Sequence, residues 1–146
     1  TTHLLLDASG WFPESTSYQP LTAARLLDTR PSGATTDGDY VAAGVRPAGS
    51  VLELPIAGRG DVPSDARIVV LTITVTAPRR DGFLTAYACE YAPPIASTLN
   101  FSNGVTIANL AMVSLGPDGS LCIVASADTH VVIDVVGWFR AAPPTT

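Results

Sequence analysis

Few residues of this chain could do chemistry, and the two histidines come first. Hydrolysis by a nucleophile needs that nucleophile, a base within hydrogen-bond reach and a group that orients the base. His3 and His130 are the only histidines, and both occupy the same position of a strand-like segment that occurs twice. A catalytic base would not need to be carried by both copies. We therefore expect a structural role for His130, whose ring would cap backbone groups where a strand enters a sheet.

The acidic residues form no recognisable catalytic pair. Glycoside hydrolysis uses two carboxyl groups roughly 5–9.5 Å apart in a cleft. The only glutamates are Glu14, Glu53 and Glu90, and each lies beside a proline, on a strand face or at a turn. The sequence therefore predicts that the chain is not an enzyme.

No residue pattern predicts a metal or a cofactor. In a strand that rises about 3.3 Å per residue, His130 and Asp134 would stand roughly 13 Å apart, too far to share an ion. Asp37-Gly-Asp39 resembles a fragment of a calcium loop, but the further acceptors and the closing Glu of such a loop are missing. We interpret it as a solvated turn, with a weak calcium site as the alternative.

The run Arg25-Leu-Leu-Asp-Thr-Arg30 places a carboxylate between two guanidinium groups. Arginine matches carboxylates in a two-pronged fashion, so Asp28 held by Arg25 or Arg30 would anchor an irregular loop onto a sheet. The functional alternative is that Arg25 and Arg30 face an acidic glycan or a carboxylate of a partner.

Trp11 and Trp138 each follow a glycine and precede a phenylalanine. This setting favours a packed hinge or a contact between modules, with a platform for sugar rings as the alternative. Neighbouring residues of a strand point to opposite faces, so we expect one ring of each Trp-Phe pair to enter the core.

Cys89 and Cys122 are the only cysteines, too few for a four-ligand structural zinc site. Both lie in strand-like segments where a cross-strand or inter-sheet bridge is feasible. A disulfide would close a loop of about 34 residues and stabilise the fold by roughly 3–4 kcal/mol. It would also indicate an oxidising compartment, and hence a secreted or cell-surface location. Two buried free thiols in a cytosolic protein are the alternative.

Composition excludes two classes of partner. The 8 cationic residues are all arginines, the net charge is −5, and only Arg79 and Arg80 are adjacent. Nucleic-acid binding needs a basic face, so we expect none. No apolar run approaches the ~20 residues needed to span a bilayer, so we expect no membrane insertion.

A repeat is the most informative feature of the sequence. Residues 1–12, TTHLLLDASGWF, match residues 128–139, DTHVVIDVVGWF, at six of twelve positions. The spacing of about one domain length is typical of tandem domains rather than of a solenoid. We predict that residues 1–12 are equivalent to the last strand of a preceding repeat, that 13–139 form one module, and that 140–146 are a Pro/Thr linker or tail. Pairing of both copies within one domain is the alternative.

Nearly all secondary-structure signals between the two copies indicate β-strands. Alternation is clearest in residues 67–77, where Val69, Leu71, Ile73 and Val75 share one face and Thr72, Thr74 and Thr76 share the other. Candidate strands cover 50–56, 67–77, 83–89, 97–101, 105–115, 120–125 and 130–136. The only helical candidate is 21–27, two turns at most. The sequence predicts an all-β fold, an antiparallel β-sandwich of about 8–9 strands that is Ig-like or jelly-roll-like.

Several motifs together resemble a known family. They are Ala24-Arg-Leu-Leu-Asp-Thr-Arg30, Val70-Leu-Thr-Ile-Thr-Val-Thr76, Gly82-Phe-Leu-Thr-Ala-Tyr87, Ser97-Thr-Leu-Asn-Phe101 with Ala108-Asn-Leu110, and the closing His-x-x-x-Asp-x-x-Gly-Trp-Phe. This combination resembles a repeat common in exported actinobacterial proteins, and the resemblance covers nearly the whole chain. It implies a secreted, all-β surface or accessory module and supplies no catalytic mechanism.

Two functions are consistent with these features. The first is a structural or adhesive repeat module whose partners are neighbouring copies, assembled head to tail by strand addition. The second is an accessory module of a secreted enzyme that binds carbohydrate or a cell-envelope polymer.

Overall fold

The computed structural model describes Trp11 and residues 17–139, which form eight β-strands. The strands are β1 (Tyr18–Asp28), β2 (Val51–Pro55), β3 (Ile68–Thr76), β4 (Gly82–Ala88), β5 (Leu99–Phe101), β6 (Ile107–Ser114), β7 (Ser120–Ala125) and β8 (His130–Phe139). The predicted all-β class and the predicted number of strands are therefore confirmed.

The strands follow the alternation of apolar and polar residues. In β3, Val69, Leu71, Ile73 and Val75 are all fully buried, while the threonines between them are half-buried. Side chains of a strand point alternately to its two faces, so one face of β3 enters the core and the other carries the threonines.

The predicted helix at 21–27 is wrong, because these residues belong to β1. Ala24 and Leu26 are buried and Arg25 between them is half-buried, which is the period of a strand. Two register shifts in the pairing of β1 with β8 interrupt the alternation and leave Leu27 and Asp28 buried side by side. The successive buried residues Leu26 and Leu27 are therefore a consequence of an irregular strand.

Two four-stranded antiparallel sheets form a sandwich, with strand orders β1-β8-β3-β6 and β2-β7-β4-β5. The hydrogen-bonded pairs include β1 with β8, β2 with β7, β3 with β6 and β4 with β5. The first four strands thus pair with the last four in reverse order, as in one long hairpin. This hairpin is folded so that its successive strand pairs alternate between the two sheets. The fold is a jelly roll, and the Ig-like alternative is excluded by the strand order.

The core lies between the two sheets and is formed mainly by aliphatic side chains from both, with Phe101 as an aromatic member. Its largest fully buried members are Leu26, Leu27, Leu54, Ile56, Leu71, Ile73, Leu84, Leu121 and Ile133. Because β3 and β8 are central strands, they supply much of this layer.

The predicted disulfide is present between Cys89 and Cys122, whose Cα atoms are 4.9 Å apart. Cys122 lies in β7 and Cys89 directly follows β4, the neighbouring strand in the same sheet. The bridge is therefore cross-strand and not between sheets. It is compatible with an extracellular location.

The part of the chain that the structure describes contains no helix of the length and apolarity that crossing a membrane requires. The predicted boundaries at residues 12 and 140 fall outside the described residues, and the domain layout stays a prediction. Residues 17–139 form one sandwich.

Candidate functional site

The second copy of the repeated strand is β8, and β8 lies in the middle of its sheet. It pairs with β1 on one edge, from Tyr18 opposite Phe139 to Asp28 opposite Val132. It pairs with β3 on the other edge, from Ile68 opposite Phe139 to Thr76 opposite His130. Both edges of the strand that carries Gly-Trp-Phe are therefore occupied by strands of this module. The first copy, residues 1–12, lies outside the described residues except for Trp11.

Trp138 and Phe139 of β8 point to opposite faces of the sheet, as predicted. Trp138 is half-buried and packs against the core, whereas the Phe139 ring lies against the Tyr18 ring at 5.2 Å between centroids. A Cβ atom on Gly137 would lie 2.5 Å from the Tyr18 ring, so a larger residue at 137 would displace that ring. The glycine of the repeated motif therefore makes room for an aromatic residue of β1.

Trp11 belongs to the other copy of the motif, and its side chain is 81% exposed. Its neighbour Phe12 lies outside the described residues, so the expectation that one ring of this first pair enters the core stays a prediction. The two tryptophans thus have different surroundings, although their motifs match.

The predicted bonding of Asp28 is present. Arg30 donates from Nε and Nη2 to the two carboxylate oxygens of Asp28 at 2.9 and 2.7 Å, and its backbone N–H donates at 3.2 Å. Asp28 is fully buried, and Gly33 lies so close that a Cβ there would be 2.7 Å from its carboxyl carbon. The Arg30 guanidinium lowers the pKa of Asp28 to about 2. Asp28 therefore anchors the turn that follows β1.

Arg25 makes a second two-pronged contact, with Asp134 of β8. Its Nε and Nη2 donate to the Asp134 carboxylate at 2.8 and 3.2 Å, and the two residues are direct partners in the β1–β8 register. The bonds to Asp134 raise the pKa of the Arg25 guanidinium. Both Arg25 and Arg30 keep part of their side chains in solvent, at 38% and 43%. Their predicted role toward a ligand stays a prediction.

His130 occupies the capping position that the sequence predicts. Its Nδ1 lies 3.0 Å from the carbonyl oxygen of Thr29. The Thr29 hydroxyl oxygen lies 3.1 Å from the same nitrogen, so Nδ1 contacts both oxygens of Thr29. Thr29 is fully buried, and its hydroxyl accepts from the backbone N–H of Val131 at 2.9 Å. His130 and Thr29 thus join the end of β1 to the start of β8.

The Asp37-Gly-Asp39 turn is held by the chain itself. Arg59 donates from Nε and Nη2 to the two Asp37 oxygens at 2.7 and 3.0 Å, and the Asp39 backbone N–H donates at 3.1 Å. The Arg59 guanidinium lowers the pKa of Asp37 to about 2. The guanidinium also lies over the Tyr40 ring, 4.9 Å from its centroid. The carboxylate that a calcium site would need is thus already paired with a cation.

Among residues 17–139 and Trp11, no group of three or more His, Cys, Asp or Glu side chains is placed to hold a metal.

Sequence reasoning missed an apolar surface on the outer face of the β1-β8-β3-β6 sheet. A shallow groove of about 230 Å³ is lined by Tyr18, Val70, Leu110, Ala111, Met112 and Phe139. Leu110 and Met112 are 62% and 67% exposed. The signal was the uncharged run Ile107–Ser114, in which a second apolar series alternates with the core-facing one.

No protein-family model matches the chain, and a search of curated proteins finds no match. A search of solved structures finds matches, two of which are the following. One is the Tobacco streak virus coat protein, 13% identical, with 94% of this chain and 95% of that chain covered at a TM-score of 0.43. The other is a dimer of the Tobacco streak virus coat protein, 15% identical, with 92% and 94% covered at a TM-score of 0.37.

Proposed function

We propose that this chain is a non-catalytic structural or adhesive repeat module of a secreted or cell-surface protein, and that copies assemble head to tail by strand addition. The observation that carries the proposal is the duplicated strand. One copy, β8, already lies between β1 and β3. The matching segment at residues 1–12 therefore has no equivalent position left in the same sheet.

A strand-forming segment can add to the free edge of a sheet, because its backbone N–H and C=O groups bond to the unpaired N–H and C=O groups of the edge strand. Residues 1–12 carry the apolar run Leu4-Leu-Leu6 and end in the same Gly-Trp-Phe as β8. In a tandem protein this segment completes the preceding module. Between separate copies, the edge is supplied by the sheet of a neighbouring copy.

The export of the module is supported by two features. The Cys89–Cys122 bridge fits an oxidising compartment. The motifs that resemble the repeat of exported actinobacterial proteins are spread over most of the chain.

The test is the oligomeric state of the chain at several concentrations, measured by sedimentation equilibrium. We expect the intact chain to associate, and a chain lacking residues 1–12 to remain monomeric with an unchanged unfolding midpoint. A chain lacking residues 140–146 is the matched control, because it loses a terminal segment without the repeated strand, and it should associate like the intact chain.

An intact chain that stays monomeric at high concentration would contradict the proposal. So would undiminished association after deletion of residues 1–12.

The second candidate function is binding of carbohydrate or of a cell-envelope polymer. A shallow groove beside the half-exposed Arg25 favours it, and this groove is lined by Ala23, Arg25, Ala34, Thr35, Thr36 and Asp134. Retention of the intact chain on acidic polysaccharide, lost in Arg25→Ala, would support this function. No retention would leave the structural role as the better account.

A further inference from the structure

The two sheets present four edge strands, and three of them carry features that discourage pairing with another chain. β1 contains Pro20 and two register shifts against β8. β2 is five residues long and contains Glu53 and Pro55. β5 has only three residues. Short length, proline, charge and irregular register are the means by which natural sheets protect their edges.

β6 has none of these features. It spans eight residues, IANLAMVS, with no charge and no proline. Its register with β3 is continuous from Ile68 opposite Ser114 to Val75 opposite Ile107. No described strand pairs with its other edge. A long, regular, uncharged edge is a template for a further strand.

The outer face of β6 is apolar as well. Val113 faces the core, whereas Leu110 and Met112 alternate with it and point outward. Met112 is the direct partner of Val70 in β3, so the apolar surface continues onto the next strand. A strand added to β6 would bring its own outward side chains against Leu110 and Met112.

We propose that β6 is the acceptor edge for residues 1–12 of a second copy of this chain, which add to it as an antiparallel strand over Leu110 and Met112. This rests on the proposed function and names the surface that it uses. Leu4 to Leu6 of the donor supply apolar side chains, and the exposed Trp11 supplies an aromatic anchor. Every pair of named strands in both sheets is antiparallel, and antiparallel pairing is the more stable kind.

The donor must be a second copy, because residues 12–18 are too short to connect β1 with an antiparallel strand beside β6 of the same chain. β6 runs antiparallel to β3, and β3 runs in the same direction as β1 because both are antiparallel to β8. An antiparallel strand beside β6 would therefore end at the opposite end of the sheet from Tyr18. That end is about 26 Å away along the strands, at about 3.3 Å per residue. Six residue steps from Phe12 to Tyr18 span at most about 22 Å, so the chain's own segment falls short.

The test uses the full chain with a charge placed on the proposed acceptor. We expect Leu110→Glu and Met112→Glu each to weaken self-association at least tenfold in sedimentation equilibrium, because a carboxylate would be buried against the donor strand. Both positions are exposed, so the unfolding midpoint should change little. Val51→Glu is the matched control, since Val51 is a 51% exposed residue on β2, an edge of the other sheet. It should associate like the unmodified chain.

Exchange of backbone amide hydrogens distinguishes addition of a strand to the β6 edge from packing of two chains through their outer sheet faces. At concentrations where the chain associates, amides of residues 107–114 should exchange more slowly than in the dilute monomer, while those of 51–55 should not change. Unchanged exchange at 107–114 in the associated state would overturn the proposal.

The failure of this inference can be told from failure of the proposed function. If the unmodified chain associates through residues 1–12 but Leu110→Glu and Met112→Glu associate equally well, β6 is not the acceptor and the proposed function stands. If the unmodified chain does not associate, both are overturned.

Discussion

Asp28 is the residue whose ionisation most directly supports the fold. Its carboxylate is fully buried and binds Arg30 through two side-chain bonds, and its pKa is lowered from 3.8 to about 2. A lowered pKa means that the folded state favours the charged form. The stabilisation is therefore complete above about pH 4 and is lost as pH falls through about 2. A shift of this size corresponds to about 2 kcal/mol.

We expect Asp28→Asn to reduce the free energy of unfolding at pH 7 by about 2–4 kcal/mol, because Arg30 loses its charged partner and a buried bond network is broken. The difference from the unmodified chain should shrink as pH falls from 4 to 2. Urea unfolding followed by fluorescence at pH 7, 4, 3 and 2 measures this. Asp65→Asn, at an exposed aspartate, is the control. A difference that stays constant with pH would show that the ionised carboxylate is not what stabilises the fold.

Whether a side-chain contact could be predicted depends on how far apart its two residues lie in the sequence. An Asp28–arginine bond could be predicted because Arg25 and Arg30 lie within three residues of Asp28, and the capping role of His130 could be predicted from its place at a strand start. The Arg25–Asp134 contact joins residues 109 positions apart. Only the register of β1 against β8 brings these two together, and no pattern in a single sequence specifies that register.

At the scale of elements, β8 depends on Gly137 and on the ring that covers it. We expect Gly137→Ala to cost about 1–3 kcal/mol, since the new methyl group would collide with the Tyr18 ring. In a Tyr18→Ala background the same change should cost much less, because the collision is gone. Denaturant unfolding of the four chains of this double-mutant cycle gives the coupling between the two residues. Equal costs in both backgrounds would mean that Tyr18 does not explain the glycine.

Elements were predictable where alternation is regular. β3 is recognisable because its buried and half-buried residues alternate from Leu71 to Thr76. The helix predicted at 21–27 is a strand in which two register shifts, each with extra residues on β1 relative to β8, disturb the period of two. The exposed apolar face of β6 was missed for a related reason. Apolar residues occur on both of its faces, and only the sheet order shows which face is turned to the core.

For the whole molecule, the wrapped hairpin brings the two ends of the module together. Tyr18 at the start of β1 is the direct partner of Phe139 at the end of β8. The chain therefore enters and leaves the sandwich at the same end of one sheet. The number and type of strands could be predicted from the sequence, but this closure could not, because it depends on pairs between the most distant strands.

The two matching tryptophans test the domain layout of the whole chain. Trp138 packs against the core, so Trp138→Ala should lower the free energy of unfolding by about 2–4 kcal/mol. Trp11 is 81% exposed, so Trp11→Ala should change it by no more than about 0.5 kcal/mol. Under the proposed function, Trp11→Ala should instead weaken self-association, because tryptophans often dominate the binding energy of an interface. Denaturant unfolding and sedimentation of the same two variants separate these effects. If Trp11→Ala destabilised the monomer as much as Trp138→Ala, residues 1–12 would belong to the core of this module and not to the strand of a neighbour.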